Sequence, residues 1–360
     1  MKRAVTARLH RTTRLGCLML GLLLGVGHGL ALAEGPLRGP AFSDPRKLAS
    51  MPEEWLKRTI EYDAGAKKEK ADVAITLDQQ IFLMVGKQIA EYGRQKGIQI
   101  VNREGTCGIS DGFLAKKSAD LAGFCCAPDR SARLPGLKFY TLGVASKVFI
   151  VHPDNPVQNI TVEQLRKVYQ GEYSRWSEIQ GMPGAPDLPL HVVGRLHCKA
   201  RPGHWRLLLD TENMYSPRMK SVANIPDVVS EVMANPGAIG YETLTNIAHY
   251  TQGRAPKVLR LEGQDPRDLS AIATLRYPLY RTFELAIWEE KALRNPHVDG
   301  LVAFMLKEVE TLGAEHGFVP VARMRENGWL FYGDEVVGEP GQQLADLATE
   351  ERSEGGHAHH

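Results

Sequence analysis

Between residues 72 and 126 short apolar runs alternate with segments of helical spacing. Asp72-Val73-Ala74-Ile75-Thr76 reads as a strand, and from Gln80 to Tyr92 the apolar positions Ile81, Met84, Val85 and Ile89 share one helical face. Gly97-Ile98-Gln99-Ile100-Val101 is a second strand, and its loop, Glu104-Gly105-Thr106-Cys107-Gly108, opens a helix from Ile109 to Lys116. A third strand from Ala119 to Phe124 ends at Cys125-Cys126. This alternation predicts an α/β domain with a mainly parallel sheet. Such sheets bind ligands beyond the carboxyl ends of their strands. The loops after Ile75, Val101 and Phe124 then gather on one edge, with Cys107, Cys125 and Cys126 in them.

The pattern continues with a long apolar strand from Tyr140 to Val151, broken by His152-Pro153-Asp154-Asn155-Pro156. Thr161 with Gln164 three residues on is a capping box, and its helix stops before Gly171. The strand Leu190 to Val193 feeds a loop crowded with cations and imidazoles, Gly194-Arg195-Leu196-His197-Cys198-Lys199-Ala200-Arg201-Pro202-Gly203-His204, which runs into a helical pattern from Trp205 to Leu209. A loop at a helix start favours anions, through unpaired N–H groups and the helix dipole. Arg195 and Arg201 strengthen that reading, and a solvated basic turn is its rival. Ile225 to Met233 is a helix, and Asn235 to Glu242 a turn into a strand. Residues 34–70 form an extension with a short helix near Glu53 to Tyr62.

The two ends change the picture of charge. Lys2, Arg3, Arg8, Arg11 and Arg14 precede an apolar run from Leu15 to Leu32, and Ala31-Leu32-Ala33 stands before Glu34. This is the pattern of a secretory signal peptide over 1–33. The whole chain carries 44 Lys and Arg against 42 Asp and Glu; losing five leader cations leaves 39, a formal charge of −3. That balance excludes nucleic acid as an expected partner. No later stretch is long and apolar enough to span a bilayer, so a periplasmic or otherwise exported monomer is expected. Residues 331–360 read as a C-terminal extension and a disordered tail, whose His357-Ala358-His359-His360 is at most a weak metal trap. Cys107, Cys125, Cys126 and Cys198 survive cleavage, and in an oxidising compartment their default fates are disulfides or metal ligation.

Seven phrases in order resemble the phosphate-type substrate-binding proteins of bacterial ABC transporters. They are His152-Pro153-Asp154-Asn155-Pro156-Val157, Thr161-Val162-Glu163-Gln164-Leu165, Gly171, Trp176, Gly237-Ala238-Ile239-Gly240-Tyr241, Tyr277-Pro278-Leu279-Tyr280-Arg281 and Gly317-Phe318-Val319-Pro320-Val321. The resemblance implies a two-lobed periplasmic-binding-protein clam-shell, each lobe a mainly parallel sheet flanked by helices. Lobe one would span 71–145 and 250–330 and lobe two 146–249, with two crossing strands as a hinge. It also implies a protein that binds and delivers rather than catalyses, with an ABC-transporter membrane component as partner.

The ligand loops depart from that family. Its arginine is matched by Arg195, but its serine-glycine-threonine falls on Lys199-Ala200-Arg201. Its lobe-one loop, whose aspartate accepts the proton of hydrogen-phosphate, reads Gly123-Phe124-Cys125-Cys126, so a cysteine, a poor acceptor, takes the aspartate's place. Its lobe-one serine-glycine loop reads Gly105-Thr106-Cys107-Gly108. The ligand-binding set implied is Thr76, Leu77, Thr106, Cys107, Cys125, Arg195, His197, Lys199, Arg201 and Gly203. Three readings compete. Cys107, Cys125, Cys126, His197, Cys198 and His204 suit a zinc or copper ion. Disulfides could instead join Cys107 to Cys125 or Cys126, with Cys198 reaching from the other lobe. Or an oxyanion is held by Arg195, Arg201 and Thr106, with the cysteines as packing. Ordinary phosphate is expected to bind weakly. A redox- or metal-linked periplasmic sensor on the same scaffold is the rival function.

Overall fold

Six strands make the first sheet, in the order Phe318–Pro320, Leu137–Ser146, Tyr280–Trp288, Leu121–Phe124, Val73–Asp78, Ile100–Gly105. The computed structural model describes residues 42–195, 208–209 and 214–344. The signal-peptide region, the histidine tail, and His197, Cys198, Lys199, Arg201, Gly203 and His204 lie outside the described residues. A second sheet has five strands, in the order Lys257–Val258, Val148–Val151, Ala238–Glu242, His191–Gly194, Lys220–Ser221. Each sheet is covered by helices, giving the two-lobed α/β architecture that the family resemblance implies.

The strands expected near the start are parallel neighbours: Val73–Asp78 pairs with Ile100–Gly105 and with Leu121–Phe124. Both sheets are more mixed than expected. Leu137–Ser146, Tyr280–Trp288 and Phe318–Pro320 pair antiparallel with their neighbours, as does Val148–Val151 in the second sheet. Leu137–Ser146 leads directly into Val148–Val151 of the second sheet, and Tyr280–Trp288 is the strand by which the chain returns to the first.

The single strand predicted from Tyr140 to Val151 is in fact two. Leu137–Ser146 belongs to the first sheet and Val148–Val151 to the second, with Lys147 between them. The apolar run is continuous because both halves are buried, so periodicity alone could not show the change of sheet. The returning chain lies beside this crossing: the Lys147 N–H donates to the Leu279 carbonyl (2.9 Å), and the Tyr277 hydroxyl donates to the Lys147 carbonyl (2.9 Å).

Local chemistry explains the helices that frame the sheets. Asp78 caps Gln79–Lys96, which ends at Gly97 with φ +65°; Thr106 caps Cys107–Ala115. The predicted Thr161–Gln164 capping box is present on Val162–Gln170, and Gly171 closes that helix with φ +81°. The helix expected near Glu53 to Tyr62 is only Glu53–Lys57, and a second short helix, Ala64–Lys68, begins at Asp63.

Residues beyond the last predicted phrase are also built into the fold. Leu330–Tyr332 and Glu335–Gly338 form a hairpin. Arg133, 3% exposed, holds it by a bidentate contact with Glu335 (2.6 and 3.0 Å) and also donates to Ser43. Thr141 Oγ1 accepts from the Val336 N–H (2.7 Å) and donates to Glu284 Oε2 (2.8 Å). Glu284 is fully buried, and burial, with the Glu335 charge, pushes its carboxyl well above the usual range. A carboxyl raised in the folded state favours folding most at low pH, and that contribution is lost as pH climbs from its unfolded value toward its folded one. Glu284→Gln is therefore expected to gain stability relative to the parent as pH rises from 5 to 8, read as a widening gap in urea midpoints; a constant gap would contradict this.

Candidate functional site

The carboxyl ends of the three adjacent parallel strands carry the candidate chemistry. Asp78 is the last residue of Val73–Asp78, Cys107 opens the helix after Ile100–Gly105, and Cys125 follows Leu121–Phe124. Register places Asp78 opposite Gly105 and Thr76 opposite Ala122. The three side chains meet: one ligand atom from each of Asp78, Cys107 and Cys125 lies within 4.8 Å of the others. Cys107 Sγ is 3.3 Å from Cys125 Sγ and accepts the Cys125 N–H at 3.3 Å. Cys126 stands beside this triad, its Sγ 3.9 Å from that of Cys107. All three cysteines are buried thiols.

Small residues make this packing possible. A Cβ at Gly123 would come within 2.8 Å of the Leu77 side chain and 3.0 Å of Ile81. Glycine there lets the strand before Cys125 press against the strand before Asp78. The Ser110 hydroxyl donates to the Gly123 carbonyl (3.0 Å), tying the Cys107 helix to the same strand.

Burial dominates the electrostatics. It raises the Asp78 carboxyl, outweighing the Gln80 N–H, the Cys125 thiol and the guanidiniums of Arg281 and Arg195, which pull it down. The Cys107 hydrogen bond, burial and the Asp78 charge raise the Cys125 thiol well above its ordinary value. At Cys107 the Cys125 hydrogen bond lowers the thiol, but Cys126, burial and Asp78 together win and raise it well above the ordinary value. These groups are neutral thiols at neutral pH, and a bound cation would have to displace their protons.

The second sheet supplies charges at its own strand ends. Arg195 follows His191–Gly194, and the parallel register of that strand with Ala238–Glu242 brings Arg195 level with Glu242. Their ion pair is 2.8 Å long and almost wholly buried; Glu242 Oε2 also accepts from Asn246 (2.8 Å). Two more buried cations stand at the crossings. Lys147 lies 4.2 Å from the centroid of the Tyr241 ring. Arg281, which pairs with Ala145, exerts its charge on Asp78, Cys125 and Tyr215.

The other residues singled out by sequence fall as follows. Thr76 is buried, and its Oγ1 has no hydrogen-bond partner among the described residues. Leu77 is fully buried and packs its side chain into the lobe-one core with Ile81 and Phe124. Thr106 is exposed, and its hydroxyl accepts the Ile109 N–H as a helix cap. Sequence reading missed Asp78, Glu242, Lys147 and Arg281. Asp78 follows Thr76-Leu77 directly, and extending the strand by two residues would have found it. Arg281 lay inside a phrase read as scaffold, although an arginine in an otherwise apolar strand needs a reason.

Two α/β lobes joined by crossing strands, with charged groups at their strand ends, define a bilobal scaffold. The chain belongs to the PBP superfamily, since residues 65–309 match the family described as the PBP superfamily domain. It is 21% identical over 274 residues to the phosphate-binding protein PstS of Bacillus subtilis (strain 168), covering 73% of this chain and 86% of that protein. Among solved structures it is similar to an ABC-type phosphate transport receptor from Vibrio cholerae (TM-score 0.54, 21% identity, 69% of this chain and 99% of that one). It is also similar to a putative phosphate ABC transporter substrate-binding protein with bound phosphate from Clostridium perfringens (TM-score 0.59, 18% identity, 69% and 99%). The fold is therefore that of the phosphate-type binding proteins, a family of binding scaffolds rather than enzymes. It agrees with the exported location that the leader predicts. No described helix is long and apolar enough to cross a membrane.

Proposed function

We propose that this protein is an exported solute-binding protein whose interlobe cleft takes a thiophilic metal ion, zinc or cuprous copper, or a small ligand containing one. The observation that carries this reading is the Asp78–Cys107–Cys125 triad at three adjacent strand ends. Two thiolates around a tetrahedral zinc at about 2.3 Å stand roughly 3.8 Å apart, and the present 3.3 Å between Cys107 and Cys125 needs only a small spreading. His197 and Cys198 follow Arg195 by two and three residues. As the next imidazole and thiol in the chain, they would complete the ligand set. Arg195 and Arg281 would hold an anionic co-ligand, with Lys199, Arg201, Thr106 and the Gly203 N–H as further donors. Handing the ligand to an ABC-transporter membrane component follows from the relatives' role.

Zinc titration of the full mature chain tests the reading. The account expects affinity to rise with pH and at least two protons to be released per ion, because the ligating thiols start out protonated. A pH-independent affinity with no proton release would remove Cys107 and Cys125 from the site. Inorganic phosphate is expected to bind no tighter than about 1 mM, or roughly −4 kcal/mol, since a thiol stands where the family's proton acceptor would be. Calorimetric titration giving micromolar phosphate affinity would overturn that expectation.

A further inference from the structure

We infer that Cys107 and Cys125 are a reversible dithiol–disulfide pair, so that the cleft floor has a ligating state and a closed one. The inference deepens the metal reading by giving the same site a control. Its grounds are geometric. The two sulfurs are 3.3 Å apart, and a disulfide needs about 2.05 Å. The Cys125 N–H to Cys107 Sγ bond and the Ser110 to Gly123 bond already hold the two backbone segments together. Side-chain rotation can supply the rest without separating the helix from the strand.

The chemistry is exchange with a small or protein disulfide, the oxidant class of exported compartments. One cysteine thiolate attacks a sulfur of that disulfide, forms a mixed disulfide and expels a thiolate. The second cysteine thiolate then attacks the first cysteine's sulfur, forms the Cys107–Cys125 bond and expels the other thiolate. Two protein thiols are oxidised, one external disulfide is reduced to two thiols, and the two protons pass to the departing thiolates. Both sulfurs lie in buried residues that an external disulfide reaches only with difficulty, so exchange in the folded protein is slow, on the scale of hours. Once bonded, neither sulfur is a thiolate donor, and of the triad only Asp78 still ligates. Cys126, whose Sγ is 3.9 Å from that of Cys107, is the competing partner.

The test uses the full mature protein, reduced and then incubated with oxidised glutathione, alkylated, digested and mapped by mass spectrometry. Cys125 and Cys126 share a peptide, so Cys126→Ser separates them. The expected result is a cross-link that persists in Cys126→Ser, disappears in Cys107→Ser and reverses with dithiothreitol. Complete alkylation of Cys107 after prolonged oxidation, or loss of the cross-link in Cys126→Ser, would overturn the inference. Zinc is then titrated into both forms. Binding to the reduced form that weakens at least 100-fold on oxidation supports the control, and equal binding by both forms refutes it. A reduced protein that ignores zinc yet forms the bond supports the pair and sinks only the metal reading.

Discussion

Cys107→Ser and Cys125→Ser are each expected to weaken zinc binding by about 100- to 1,000-fold. Zinc sites of four ligands are worth roughly 10–16 kcal/mol, or about 3–4 kcal/mol per ligand, and each 1.4 kcal/mol is a factor of ten. Serine replaces a soft anionic donor by a neutral hydroxyl of similar size, so the lobe-one core around Phe124 and Leu114 stays filled. Competition with a chromophoric chelator reads the loss directly. Wild-type affinity in both variants would mean that zinc binds elsewhere, with the histidine-ending tail the first place to look.

Arg133→Ala carries the largest expected effect on stability. It leaves Glu335, 5% exposed, without its guanidinium and near the buried carboxyl of Glu284. Removing one partner of a buried ion pair costs about 3–5 kcal/mol, because the remaining charge is stranded. The guanidinium also ties Ser43 to the hairpin, so both segments outside the matched domain should loosen together. Urea unfolding would show the midpoint falling. Replacing both partners, as in Arg133→Met with Glu335→Leu, should recover much of the loss, because a matched apolar pair strands no charge. If the single variant keeps the parent midpoint, the hairpin does not depend on this ion pair.

Sequence revealed the fold well because its signals are local. The capping box at Thr161, the glycine stop at Gly171 and apolar periodicity each act within a few residues. The change of sheet at Lys147 was hidden, since a strand buried in either lobe has the same apolar pattern. The candidate site was half legible. Cysteines at three strand-end loops were visible as a coincidence of position, but Asp78 was read as lying beyond its strand. Arg281 is brought to Asp78 by pairing across 136 residues with Ala145, which no local pattern encodes. The hairpin at 330–338 was missed for the same reason: its anchors, Arg133 and Thr141, lie far back in the chain.

The most direct test of the central claim is native mass spectrometry of the protein taken from the exported fraction under reducing, chelator-free conditions, with elemental analysis of the same sample. The account predicts one zinc or copper ion per chain, released on denaturation and absent from Cys107→Ser. A metal-free chain that stays metal-free when zinc is added, and instead retains phosphate, would contradict it and return the cleft to an oxyanion held by its arginines.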